Sequence, residues 1–292
     1  MQRMNGTQEI THSTIALLTD FGISDGYVGA MKGVIWSISP YARIIDISHH
    51  IAPQNIQQAA YVLLTTYRYM PHGTVFCVVV DPGVGSSRKP VAVKTKHYTF
   101  VGPDNGVFTF VLKQLATEEM VTLDEPKYHL SAVSTTFHGR DIFAPAAAYL
   151  SVDTPIENLG SSIQRLERVG YPYLHSNVTA INGEVLYIDR FGNCVTSIGH
   201  LTWDADDMLH FNPVFKATND GEDLRTFGVE ACRVEINDIR LEPLALNYAS
   251  AAKGKPLALI NSAGQLEVAV SQGNASEQLG IKIGDKVTLH FD

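Results

Sequence analysis

Four times in this chain an apolar, strand-like run ends in a short polar cluster that carries an aspartate. "IALLTDFGISDG" leads into Asp20 and Asp25, and "TVFCVVVDPGVGSSR" into Asp81 and Arg88. "YTFVGPDNGVF" leads into Asp104 and Asn105, and "EVLYIDRFGNCV" into Asp189 and Asn193. In an open α/β sheet, ligands bind beyond the carboxyl ends of the strands. One such cluster reads as a turn; four read as the rim of a single site.

Between the clusters the hydrophobic period switches back and forth. Strand-like runs at Ile15–Thr19, Ile44–Ile47 and Thr74–Val80 alternate with helical patterns. Tyr27–Ser37 sets Val28, Met31, Ile35 and Ile38 on one face, and Gln57–Tyr67 does the same with Ala60, Leu63, Leu64 and Tyr67. Val91–Thr95 and Tyr98–Val101 read as a hairpin, and Asn105–Leu115 and Asp141–Leu150 as helices. This alternation predicts an α/β domain with a mostly parallel sheet. After Val169 the pattern changes. "INGEVLYIDRFGNCVTSI", "VFKAT", "ACRVEI", "PLALINSAGQLEVAV" and "DKVTLHF" are short strands separated by Gly, Asn and Asp turns. They predict a smaller all-β, barrel-like domain. The boundary is placed at Pro172, giving domains 1–172 and 173–292.

Of the 292 residues, 30 are Asp or Glu and 22 are Lys or Arg, a net charge of −8 that argues against nucleic acid as a partner. Cys77, Cys194 and Cys232 form no disulfide framework and no metal pair. No run approaches the roughly 20 apolar residues of a membrane span, and the first residues carry no apolar signal core. The expectation is a cytoplasmic protein with no membrane contact.

Each cluster has a plain and a chemical reading. Asp20 and Asp25 can accept hydrogen bonds from hydroxyls or an ammonium, or Asp25 can cap the helix that follows it. Pro82, Gly83 and Gly85 make a tight loop whose N–H groups can hold an anion or a water, with Asp81 and Arg88 near enough to pair across it. A lone histidine is ordinarily structural. His138, beside Gly139 in "TFHGRDIFAP", gains a catalytic reading from Asp81 and Arg88, which can orient it. His49 and His50 read as metal ligands or as loop packing, and their spacing matches no standard metal motif. In the second half, Phe191 can stack on a base while Asp189 and Asn193 bond polar groups; the plain reading is a turn centred on Gly192. Ser262, Glu267 and Asn274 read as ligands or as surface of a scaffolding hairpin.

Together, "LTDFGxxDGYVGxMKG", "DPGVGSSR", "GPDNG", "TFHGRDIFAP" and "IDRFGN" resemble the S-adenosylmethionine hydroxide adenosyltransferase family, hydrolytic relatives of the fluorinases and chlorinases, from about Ile15 to Phe291. The resemblance implies hydrolysis of S-adenosyl-L-methionine (SAM) to adenosine and L-methionine, with SAM as substrate and no metal or other cofactor. It also implies a homotrimer whose sites lie between the N-terminal domain of one subunit and the C-terminal domain of the next. Asp20 falls where the family grips the ribose hydroxyls, and Asp25 and Asp189 near the methionine ammonium. Phe191 and Asn193 fall at the adenine, Ser262 at the methionine end, and Val270 and Gln272 where backbone meets the base. Asp81, Arg88 and His138 match the triad that positions or activates water. Where the halogenating branch carries tyrosine, serine and tryptophan, this chain has Asp81, Gly139 and Gln54, and that branch's extra loop is missing. Water is thereby favoured over halide. Two other readings stay open: a metal-dependent phosphohydrolase using Asp20, Asp25, His49 and Asp81, and a sensor that binds SAM or adenosine without turnover.

Overall fold

The structure is a computed structural model that describes residues 14–215, 218–219 and 224–291. The chain divides into two compact units, Met1–Val169 and Gly170–Asp292.

The first unit holds β1 (Thr14–Thr19), α1 (Tyr27–Ile38), β2 (Arg43–Ser48), α2 (Ile56–Thr66), β3 (Val75–Val79), β4 (Pro90–Thr95), β5 (Thr99–Pro103), α3 (Val111–Gln114), β6 (Thr117–Thr122) and α4 (Ala144–Leu150). Its six-stranded sheet runs β2-β1-β3-β5-β4-β6. The β1–β2, β1–β3 and β3–β5 pairs are parallel, and β4 pairs antiparallel with both β5 and β6. It is therefore an α/β unit with a mixed, mostly parallel sheet. Central β1 and β3 are buried along their whole length, as continuous apolar runs in parallel sheets require. Met31 and Ile35 of α1 share one core with Ala144, Ala147 and Ala148 of α4 and with Ile15, Leu17 and Cys77 of the sheet.

Helix α3 is much shorter than Asn105–Leu115, because residues 105–110 are spent in turns. Helix α4 is preceded by a π-helical turn at Gly139–Phe143, so the expected Asp141–Leu150 helix opens out of register. β6 escaped the pattern because "TEEMVT" puts Glu118 and Glu119 on a half-exposed edge strand.

The second unit holds β7 (His175–Ser176), β8 (Ala180–Ile188), β9 (Cys194–Gly199), β10 (Leu201–Trp203), β11 (Met208–Phe211), β12 (Thr218–Asn219), β13 (Arg225–Gly228), β14 (Cys232–Ile236), β15 (Ile239–Leu241), β16 (Pro256–Ile260), β17 (Gln265–Val270), α5 (Ala275–Leu279) and β18 (Lys286–Phe291). Its main sheet runs β15-β14-β18-β8-β9-β17-β16, antiparallel throughout this order. The Ala245 N–H, just beyond β15, donates to the Ala258 carbonyl of β16 at 2.8 Å. That bond brings the two sheet edges together, and the result is nearly a barrel. Part of the predicted "VFKAT" strand, Lys216 and Ala217, lies outside the described residues.

Candidate active site

The loop after β3 is built around a buried ion pair. The Arg88 Nε donates to Asp81 Oδ1 at 3.0 Å, and its Nη2 donates to Asp81 Oδ2. Both side chains are about nineteen-twentieths buried, at 6% and 5% exposure. The guanidinium lies over the Phe143 ring, 5.4 Å from its centroid. Arg88 Nη2 also sits 3.1 Å from His138 Nδ1. A guanidinium only donates, so Nδ1 is the acceptor, and a neutral His138 carries its proton on Nε2. Burial and then Arg88 hold the His138 pKa below the usual imidazole value. Burial lifts the Asp81 carboxyl above the usual carboxylate value, against the opposing pull of Arg88. Arg88 Nη1 is buried and has no hydrogen-bond partner among the described residues. An unpaired buried donor costs free energy on its own account; here it stands next to a carboxylate and an imidazole.

One glycine contact and a neighbouring loop fix this triad. Gly85 has φ +77°, and a Cβ there would come within 2.5 Å of the Thr135 carbonyl oxygen. The "DPGVGSSR" loop can lie against the His138 loop only because that Cβ is missing. The Asn105 Nδ2 donates to the Val80 carbonyl at 2.9 Å, anchoring the residue before Asp81. Asp104 accepts from the Glu167 N–H at 2.8 Å. The "GPDNG" cluster is thus a brace for the loop after β3.

The β1 cluster meets the His138 loop through rings. Phe21, Tyr27 and Phe137 pack with centroids 5.2–5.8 Å apart, and a Cβ on Gly139 would touch Phe21 and Phe137. Asp20 Oδ2 accepts from the Gln54 N–H at 2.8 Å. Asp25 does not cap α1, contrary to the plain reading: the cap position is Gly26, with no side-chain bond. The exposed Asp25 carboxylate is left facing solvent. His49 is buried, its Nδ1 2.9 Å from Thr19 Oγ1 and its Nε2 3.0 Å from Asp46 Oδ1. It packs the loop and is not directed at Asp81. Among the described residues, no three His, Cys, Asp or Glu side chains are gathered to hold a metal.

In the second unit, Asp189, Phe191, Asn193, Tyr248, Val270, Gln272 and Gly273 line a cavity of about 490 Å³. That is within the range of small-ligand sites. Asp189 Oδ1 accepts from the N–H groups of Phe191 and Asn193 at 2.8 and 2.9 Å, and its Oδ2 from Asn193 Nδ2 at 3.0 Å. The carboxylate thereby shapes the β8–β9 turn, which lifts Phe191 to 74% exposure at the cavity mouth. The turn reading of this cluster holds, and the same residues line the cavity. Ser262 does not line the cavity; it lies in the β16–β17 turn. Tyr248, which periodicity did not single out, lines the cavity from a 3-10 turn.

The chain matches the SAM hydroxide adenosyltransferase N-terminal domain over residues 15–160 and the corresponding C-terminal domain over residues 183–288. It belongs to that family. It is 35% identical to an (R)-S-adenosyl-L-methionine hydrolase of Thermus thermophilus, covering 94% of this chain and 98% of the relative. A hydrolase of the same name from Methanocaldococcus jannaschii is 34% identical over 95% of each chain. A crystal structure of a conserved protein from Thermotoga maritima superposes with a TM-score of 0.80 at 35% identity, over 94% of this chain and 99% of that one. Fluorinases are more distant, at 26% identity for that of Actinopolyspora mzabensis.

Proposed function

We propose that this protein hydrolyses S-adenosyl-L-methionine to adenosine and L-methionine, by in-line attack of water on C5′. The observation that carries the mechanism is the buried Asp81–Arg88–His138 cluster with its unpaired Arg88 Nη1. The relatives' names support the substrate.

The water oxygen forms the bond to C5′ as the C5′–sulfur bond breaks. The electron pair of that bond leaves on sulfur, and methionine departs as a neutral thioether. The sulfonium is an activated leaving group from the start, so the enzyme's work lies at the nucleophile. The Asp81–Arg88–His138 cluster holds the water oxygen and aims it, Arg88 orienting the other two side chains through its bonds to both. Asp81 takes its proton. His138 is poorly suited as the base, because its accepting nitrogen is turned to Arg88. Near-attack positioning of this kind contributes roughly 7–11 kcal/mol, and a placed base adds about 10²–10⁴-fold.

The remaining site residues bind. Asp20 holds the ribose hydroxyls, and Asp25 and Asp189 the ammonium. Phe191, Asn193 and the backbone around Val270 and Gln272 hold the adenine, and Ser262 the methionine end. Gly139 leaves the nucleophile free of a halide-binding side chain. The working site is formed in a homotrimer, from the first unit of one copy and the second unit of another. The setting is the cytoplasm, which suits three buried free thiols.

The test is product analysis in H₂¹⁸O with purified protein and SAM, beside Asp81→Asn and His138→Ala. Wild type is expected to give adenosine with ¹⁸O at O5′, Asp81→Asn almost none, and His138→Ala a reduced amount. Unlabelled adenosine, or none, sinks the hydrolytic reading.

A further inference from the structure

Behind the cavity of the second unit lies a carboxylate that the proposed chemistry leaves unused. Glu267, on β17, is 3% exposed. Its Oε1 accepts from the Tyr248 hydroxyl at 2.7 Å and its Oε2 from Asn261 Nδ2 at 3.2 Å. Among the described residues no Lys or Arg forms an ion pair with it, and both partners are neutral. Burying a carboxylate without a counter-ion is expensive, and an apolar residue would serve a buried strand position better. The two bonds therefore point to a geometric task.

What the bonds reach defines the task. Tyr248 lines the cavity from a three-residue 3-10 turn, and its ring is half exposed. Its hydroxyl bond to Glu267 is what ties that ring to the barrel wall. Asn261 holds the other loop: its Oδ1 accepts from the Ala263 and Gln265 N–H groups at 2.9 and 3.1 Å. That closes the β16–β17 turn carrying Ser262. One buried carboxylate thus bridges the loop that walls the cavity and the turn assigned to the methionine end.

We propose that Glu267 is a positioning residue for substrate, fixing through Tyr248 and Asn261 the two loops that hold the nucleoside and the methionine. This rests on the SAM hydrolase reading. Hydrogen bonds to a charged acceptor are roughly twice as strong as neutral ones, which accounts for Glu rather than Gln at this position. Tyr248 stays a donor, since burial and the bonded Glu267 push its pKa well above the usual phenol value.

The experiment compares wild type, Glu267→Gln, Tyr248→Phe, Asn261→Ala and the Glu267→Gln/Tyr248→Phe double variant. KM and kcat for SAM, the Kd for adenosine by calorimetry, and Tm are measured for each. Glu267→Gln is expected to raise KM and the adenosine Kd roughly tenfold, with kcat held within about twofold. Tyr248→Phe should reproduce the adenosine effect, and the double variant should add little to it. Asn261→Ala should raise KM for SAM while leaving the adenosine Kd unchanged. A Glu267→Gln protein with lowered Tm but wild-type KM and adenosine Kd overturns the proposal. If Glu267→Gln does not fold, Tyr248→Phe with a wild-type adenosine Kd overturns it equally. Wild type that binds adenosine but releases none from SAM refutes the hydrolase reading, while the adenosine arm still decides the role of Glu267.

Discussion

A guanidinium can donate but never accept, and Arg88 uses that fact three ways at once. It neutralises Asp81, fixes the tautomer of His138, and keeps Nη1 for a third acceptor. Lysine offers one charge and no fork. Arg88→Lys is therefore expected to lower kcat by about 10²–10³-fold, the cost of one preorganised donor at a reacting oxygen, with KM for SAM little changed. A kcat within tenfold of wild type would show that the fork is dispensable. The pH dependence belongs to the same cluster. Asp81 has a raised pKa and must be ionised to take the proton, so activity is lost as pH falls through that value. His138 has a lowered pKa and stays neutral until the pH drops further than usual for imidazole. The acid limb of kcat/KM should therefore lie above the ordinary carboxylate range. It should persist in His138→Ala. A limb that vanishes in that variant assigns the proton to His138.

Loops become precise here by close backbone approach. At Gly85 the added Cβ of alanine meets a carbonyl oxygen that belongs to the neighbouring loop and cannot turn aside, at a φ unfavourable to L residues. Gly85→Ala is expected to cost more than about 1 kcal/mol of stability and to separate Arg88 from His138. Thermal melts should show a lower Tm and kinetics a lower kcat. Lost stability with intact kcat would detach the loop contact from the chemistry. This contact explains what was and was not legible in the sequence. Asp20, Asp81, Arg88, Asp189 and Asn193 stand out because polar residues follow apolar strand runs at fixed places, and His138 because Asp81 and Arg88 can orient it. Tyr248 did not, since its ring is placed by Glu267, nineteen residues away, within a loop of no periodicity. The π-helical turn at Gly139–Phe143 was equally silent, because the alanine run after it reads as plain helix. Asp25 looked like a cap, yet the helix starts on Gly26 without side-chain help.

At the scale of the whole molecule, the proposed chemistry is split between two units. The water-handling triad lies in the first unit and the Phe191–Tyr248 cavity in the second. The proposed completion of the site across a subunit boundary in a closed trimer makes a sharp prediction for mixed assemblies. Arg88→Ala spoils only the first unit, and Asn193→Ala only the second. Each homotrimer should then be nearly inactive. In a trimer containing both variants, one of the boundaries joins an intact first unit to an intact second unit. Equimolar co-expression, with random assortment, should restore about a quarter of wild-type activity. Separately purified homotrimers mixed without exchange should restore none, and size-exclusion chromatography with light scattering should report the trimer mass. If the site is completed within a single chain, every site in a mixed trimer carries one lesion or the other. Activity of the co-expressed sample would then stay at the level of the single variants, and the shared-site arrangement would be excluded.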